Sequence, residues 1–283
     1  MPVQSVGYTQ SRIQNNPNKN DGGASLAAYY GSGLVSGAIV SPIPIISSKF
    51  IKMGSNLSEE TIDTFHKGFE QAVKMTGMDK KGVTIHYLPQ TNRGKVQILN
   101  FDIIDSIKNG NNACHLSKDF TDATGKIFKK NSILMPEKDL SFAGFHELGH
   151  AINNKNFFWN CLQKLRVPGY TMAGLIMMYG AFTNKIEKPQ NRELTKLEKA
   201  HNFVRDNAGK LTFAAVLPTL AEEAMASIRA QKLANKILDK NLAKQVLKGN
   251  ALAYTTYALG AVSLAVGSYC AVKIKDIMMS KKK

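Results

Sequence analysis

Between residues 56 and 155 the apolar positions follow first a helical and then a strand-like period. Ile62, Phe65, Phe69 and Val73 form a helical stripe behind Asn56 or Ser58, either of which can cap it, and the stripe ends near Gly77. His66 lies beside the stripe and reads as a partly exposed or hydrogen-bonded residue. Val83, Ile85 and Tyr87 then alternate with Thr84 and His86, which predicts a strand with one buried face, stopped by Pro89. Further strands are expected around Val96 to Leu99 and at Ser132 to Met135, with a turn at Asn109-Gly110 between them. Next, Phe142, Phe145, Leu148 and Ile152 share one face of a helix over Phe142 to Asn153, for which Asp139 and Ser141 are N-cap candidates. Helix, strands and helix make a compact α+β unit, assigned to residues 51–165.

Outside this unit the pattern changes to long uncharged runs. Ala24 to Ser48 is long enough to span a bilayer, yet Gly31, Gly33, Gly37, Pro42 and Pro44 interrupt it, so segment 24–50 reads as a packed, interfacial or transmembrane helix. Val167 to Asn184 is a second such run, and Leu211 to Ala221 a shorter one containing Pro218. Ala251 to Val272 is the best spanning candidate, with Ser263, Gly267 and Ala271 at small-xxx-small spacing. Before it, Lys232, Lys236, Lys240, Lys244 and Lys248 recur every four residues, as one broad basic stripe on a long helix suited to an anionic membrane. The fold class is therefore α+β and predominantly helical, with a helical, partly membrane-associated region over residues 166–283.

Charge and cysteines narrow the partners and the compartment. A formal charge of +16 on 283 residues favours anionic surfaces. The lysines are not interleaved with aromatic residues as a stacking platform would need, so no nucleic acid is expected and an anionic membrane surface is the better partner. Cys114, Cys161 and Cys270 are odd in number, widely spaced and form no CxxC, which suits a reducing, cytoplasmic compartment. Residues 1–23 read as a disordered polar tail without the order of a signal peptide.

The chemistry concentrates in His146-Glu147-Leu148-Gly149-His150, an HExxH motif. Residues four apart share a helix face, so His146 and His150 can place two imidazole nitrogens on one Zn²⁺. Glu147 then lies beside the metal, where its carboxylate can take the proton of a zinc-bound water as general base. Farther along, Glu222 and Glu223 are two adjacent acids carried into an apolar region, where a cation would offset the cost of burying them. His115, His201 and Arg229 are candidates to stabilise an oxyanion.

With these residues in view, the chain resembles the zincin metallopeptidases, whose small sheet lies over the HExxH helix and holds the substrate on its edge strand. The segment Asn112-Ala113-Cys114-His115-Leu116 is similar to the edge strand of the membrane-associated Ste24/HtpX-like group, although Cys114 stands where an aromatic residue is usual. Asn153 and Asn156 replace the Gly and His of a metzincin. The gluzincin pattern, a ligand Glu followed four residues on by an acid, is matched by Glu223 with Ser227. The resemblance thus implies His146, His150 and Glu223 as zinc ligands, Ser227 or Glu222 as second-layer support, Glu222 as the alternative ligand, and Asn112 to His115 as the substrate edge. It implies hydrolysis of peptide or protein substrates. The rival class is an inactive, membrane-associated structural or interaction protein.

One topological condition follows. Three ligands of one ion must meet, so the chain between His150 and Glu223 crosses a membrane an even number of times or not at all. Zero crossings is the simpler reading, because Leu211 to Ala221 is too short for a return span; the alternative is an intramembrane hairpin carrying the glutamates.

Overall fold

The computed structural model describes residues 21–90 and 102–280. The strand expected at Val96 to Leu99 and nearly all of the polar tail lie outside these residues. Gly22 and Gly23, assigned to that tail from sequence, belong to the first helix, α1 (Gly22–Val40). A turn at Ser41-Pro42 separates α1 from α2 (Ile43–Ser55), so the first uncharged run is two helices.

Ser58 caps α3 (Glu59–Met75) by accepting a hydrogen bond from the Thr61 N–H, and Gly77 ends it with φ 64°. β1 (Thr84–Leu88) runs parallel to β5 (Ser132–Pro136), which pairs on its other side antiparallel with β2 (Cys114–His115). The order β1-β5-β2 puts β5 in the centre, buried along its whole length, and leaves β2 at an edge. Along β5, Ile133 and Met135 face Phe65, Phe69 and Phe145, while Leu134 faces Ile104 and Ile107 of α4 (Ile103–Lys108). Neither α4 nor the small hairpin of β3 (Phe120–Thr121) and β4 (Ile127–Phe128) was signalled by periodicity.

The HExxH helix is α5 (Gly144–Lys155), and its start differs from the expectation. A 3-10 turn at Ser141–Ala143 leads into it, and no side chain caps it. Asp139 is engaged elsewhere, accepting a hydrogen bond from Gln90 Nε2 at 2.9 Å. After α5 come α6 (Phe157–Lys164), α7 (Arg166–Phe182), α8 (Lys196–Asp206), α9 (Ala208–Ile237) and α10 (Lys240–Ser280).

Two sequence expectations are corrected here. The run Leu211 to Ala221 is part of a helix of 30 residues, which continues through Pro218 and through both glutamates. The lysine stripe is divided: α9 stops at Ile237, and Asp239 Oδ1 accepts from the N–H groups of Asn241 and Leu242 to start α10. Lys232 and Lys236 therefore stand on one helix and Lys240, Lys244 and Lys248 on the next.

Antiparallel packing of α9 and α10 joins two parts of the fold. Near their connection, Ala230, Leu233, Ala234, Ala243 and Val246 complete the core built on Phe65, Phe69, Phe145 and Leu148. Beyond the glutamates the two helices continue into a bundle with α1 and α7. Ser263 on α10 donates to the Ser36 carbonyl at 2.9 Å, and Thr212 on α9 donates to Ser268 Oγ at 2.8 Å. Gly169 on α7 meets the backbone of Ala215, and Gly180 meets Val272. Ion pairs Lys275–Asp21 and Arg205–Asp276 close the far end. Three segments are long and apolar enough to cross a membrane: Gly22–Ser55, Ala208–Ile237 and Lys240–Ser280. The Val167 to Asn184 run is not among them; its helix, α7, has 17 residues.

Candidate metal centre

One turn of α5 stacks His146 beneath His150, with their Nε2 atoms 3.0 Å apart. Helix α9 crosses this face and brings Glu223 Oε2 to 3.2 Å from His146 Nε2 and 3.5 Å from His150 Nε2. Such closeness requires the helix backbones nearly to touch, and Gly149 allows it. A Cβ at that position would lie 2.8 Å from the Cα and carbonyl carbon of Ala226, nearer than carbon atoms pack.

Four ligands at zinc's usual bond lengths stand about 3.3 Å apart around a tetrahedron. The three measured separations bracket that value, and His146, His150 and Glu223 form a group that could hold a metal ion. The other ring nitrogens are occupied as ligand histidines need: His146 Nδ1 lies 3.3 Å from Ser227 Oγ, and His150 Nδ1 lies 2.9 Å from Glu222 Oε1. With Nε2 as the ligand atom, each Nδ1–H can donate to that oxygen.

Glu222 and Glu223 are both buried, and their surroundings explain how two acids are tolerated there. Arg166, at the start of α7, donates through Nη2 to Glu222 Oε2 at 3.1 Å and also to Glu223 Oε1. Asn153 Nδ2 donates to Glu222 Oε1 at 2.8 Å. The Tyr257 hydroxyl hydrogen-bonds to Glu223, and the Arg166 guanidinium lies 5.8 Å from the centroid of the Tyr257 ring. Arg166, Asn153 and Tyr257 were not singled out from sequence. Asn153 continues the spacing of His146 and His150 along one helix face, and Arg166 is the last charge before an uncharged run, so both left a signal. Tyr257 left none.

Burial pushes Glu147 up from the ordinary carboxylate range; the neighbouring histidines oppose that shift, Glu223 adds to it, and the His115 N–H hydrogen bond to its carboxylate lowers it. Burial alone would depress His150, but hydrogen bonds to Glu222 and Glu223 outweigh it and push the imidazole up to about 10. On the edge strand, burial pushes the Cys114 thiol up to about 12 and holds His115 down to about 4.

His146, Glu147 and His150 open onto a cavity of about 410 Å³ whose walls include Asn112, Ala113, Cys114 and His115, and Phe50 and Ile51 of α2. Of the three oxyanion candidates, His115 borders this cavity and Arg229 does not. His201 is remote, bonded to the Tyr179 hydroxyl and to the Asn184 carbonyl at the far end of the bundle.

No protein-family model, curated protein or solved structure matches the chain.

Proposed function

We propose that this chain is a zinc-dependent, zincin-like metallopeptidase of the gluzincin type, embedded in a membrane through its helical bundle. The supporting observation is the triangle of ligand atoms at 3.0, 3.2 and 3.5 Å, which has the dimensions of three corners of a zinc tetrahedron and faces a cavity. A three-residue set with an open side is the arrangement of catalytic rather than structural zinc.

Zinc held there would activate a water molecule and polarise the scissile carbonyl. His146 and His150 present Nε2, kept in that tautomer by Ser227 and Glu222. Beside that site Glu147 is placed to take a proton from the attacking water and would deliver it to the departing amine, so that breaking the C–N bond would leave the proton balance closed. Arg166 and Tyr257 hold the two glutamates in place. The peptide lies extended along the edge at Asn112 to His115, where backbone hydrogen bonds bind it irrespective of its side chains.

The bundle supplies the membrane part. The 19 residues of α1 span about 28 Å, close to the hydrocarbon thickness of a bilayer. Exposed apolar side chains such as Leu34, Val167, Leu175 and Leu217 then face lipid. α7 leads away from the metal centre and α9 returns to it, a pair that fits the intramembrane hairpin carrying the glutamates and keeps His150 and Glu223 on one side. The hairpin thereby replaces zero crossings as the preferred topology.

Comparison of wild type with Glu147→Gln, both purified in detergent without added metal, tests the proposal. Wild type should contain one zinc per chain and cleave members of a random peptide library, whereas Glu147→Gln should keep the zinc and lose cleavage. Equal cleavage by both proteins refutes the mechanism, and absence of zinc from both favours an interaction protein.

A further inference from the structure

Beside the metal-centre cavity lies a second groove of about 440 Å³, lined by Lys118, Lys130, Lys155 and Lys164 together with uncharged polar residues. The four lysines come from separate segments, namely the residues after β2, those before β5, and the ends of α5 and α6. No carboxylate lines the groove, and none of the four forms an ion pair among the described residues. Asp119, next to Lys118 in sequence, is engaged at 3.2 Å with Lys129, accepts the Lys130 backbone N–H at 2.8 Å and feels the Lys130 charge without pairing to it. Position at a helix C-terminus accounts for Lys155 and Lys164 singly. It does not account for Lys118 and Lys130 meeting them, since four like charges in one groove repel each other until an anion enters.

The groove adjoins the metal-centre cavity in two ways. Gln163 lines both, and its Nε2 lies 3.4 Å from Glu222 Oε1. The edge strand also borders both: Asn112 to His115 line the first cavity, and Ser117 and Lys118, the next residues but one, line the second. An extended peptide that pairs at this edge and runs on past the bend at Ser117 and Lys118 advances about 3.3 Å per residue, so about four residues, roughly 13 Å, carry it from the metal centre into the groove.

We propose that the basic groove is a specificity subsite for an aspartate or glutamate side chain of the substrate, about four residues from the bond that is cut. The inference rests on the peptidase reading. Exposed lysine–carboxylate pairs contribute a few-fold each, so two of them give a preference of about tenfold for an acidic over an amide side chain.

The test uses the full chain in detergent and two peptide sets, identical except for Asp/Glu against Asn/Gln at positions three to five residues on either side of the cleaved bond. Wild type should show the tenfold ratio in kcat/KM on one side only. Combined Lys118→Ala, Lys130→Ala, Lys155→Ala and Lys164→Ala should bring the ratio near one, and 0.5 M salt should do the same in wild type. No preference in wild type, or a preference that survives the fourfold variant, overturns the subsite. If wild type cleaves neither set, the peptidase reading fails, and fluorescence anisotropy of the labelled peptides decides the subsite alone: equal binding of acidic and amide peptides overturns it, and tighter lysine-dependent binding of the acidic ones supports it. Phosphatidylglycerol vesicles are the control ligand. Lysine-dependent binding to these with no peptide preference assigns the groove to lipid headgroups and overturns the proposal.

Discussion

Replacement of Gly149 by alanine probes how the metal centre is built. The added Cβ would stand 2.8 Å from two backbone carbons of Ala226 and closer still to the carbonyl oxygen. Carbon atoms in contact rest at about 3.5–4.0 Å, so α5 and α9 must part by roughly 0.7 Å or more. Neither contact atom of Ala226 belongs to a flexible side chain, and the two helices carry the strain between them. Overpacking of this kind costs about 1–3 kcal/mol of stability. The effect on the site should be larger in proportion. Gly149 lies between His146 and His150, and Ala226 is one helical turn from Glu223, so the displacement falls directly on the ligand triangle. Metal–ligand distances tolerate only about 0.2 Å, and the affinity for zinc should drop by about 10- to 100-fold or more. Competition with a chromophoric chelator measures that affinity, and thermal unfolding in detergent measures the stability. Gly174 on α7 is the matched control, since nothing lies within 4 Å of a Cβ there. Gly174→Ala should leave zinc binding unchanged and add up to about 1 kcal/mol through helix propensity. If Gly149→Ala binds zinc within twofold of wild type and unfolds at the same temperature, α5 and α9 do not approach as closely as this account requires.

Three further outcomes follow from the charges around the site. Arg166→Ala should destabilise the metal-free protein by about 2 kcal/mol, below the roughly 3–5 kcal/mol of a fully buried pair because the Arg166 side chain is 34% exposed; added zinc should then stabilise the variant more than it stabilises wild type, and an equal zinc-induced shift in unfolding temperature would count against it. Cys161 is exposed whereas Cys114 is held as a thiol by its raised pKa of about 12, so iodoacetamide at pH 8 should alkylate Cys161 well before Cys114, as read by peptide mass mapping. His115 is neutral in the folded chain down to about pH 4 but protonates near its ordinary value of 6.5 once unfolded, so stability should fall as pH drops through that window; His115→Leu should flatten the slope between pH 6.5 and 4, and an unaltered slope would remove His115 as its source.

What could be read from the sequence and what could not divides along a physical line. The two histidines and Glu147 lie within one helical turn, where 3.6-residue geometry settles their relation before any tertiary contact forms. Ser58, Gly77 and β5 were legible for the same reason, since caps and alternation are local. Glu222 and Glu223 were visible as a pair, yet their separate placements, one at His150 Nδ1 and the other at both Nε2 atoms, depend on how α9 is rotated about its own axis against α5. No spacing along α9 contains that angle. The lysine stripe divides for a similar reason, because a four-residue period contains nothing about a helix that stops at Ile237 and restarts behind Asp239.

In the bundle the reverse holds, and a local signal ends before the element does. Measuring α9 by its unbroken uncharged run ends that run at Ala221, because two carboxylates follow. In space those carboxylates meet His146, His150, Asn153 and Arg166, and the helix continues as a buried element through them. A charge ends an apolar helix only when nothing on the neighbouring helices compensates it. A cluster of ligand-type side chains at one end of a helical bundle gathers such compensating groups, so hydropathy undercounts a helix just where it carries them. Arg166, standing at the head of α7 and bonded to both acids of α9, is the residue that ties these two helices together at the site.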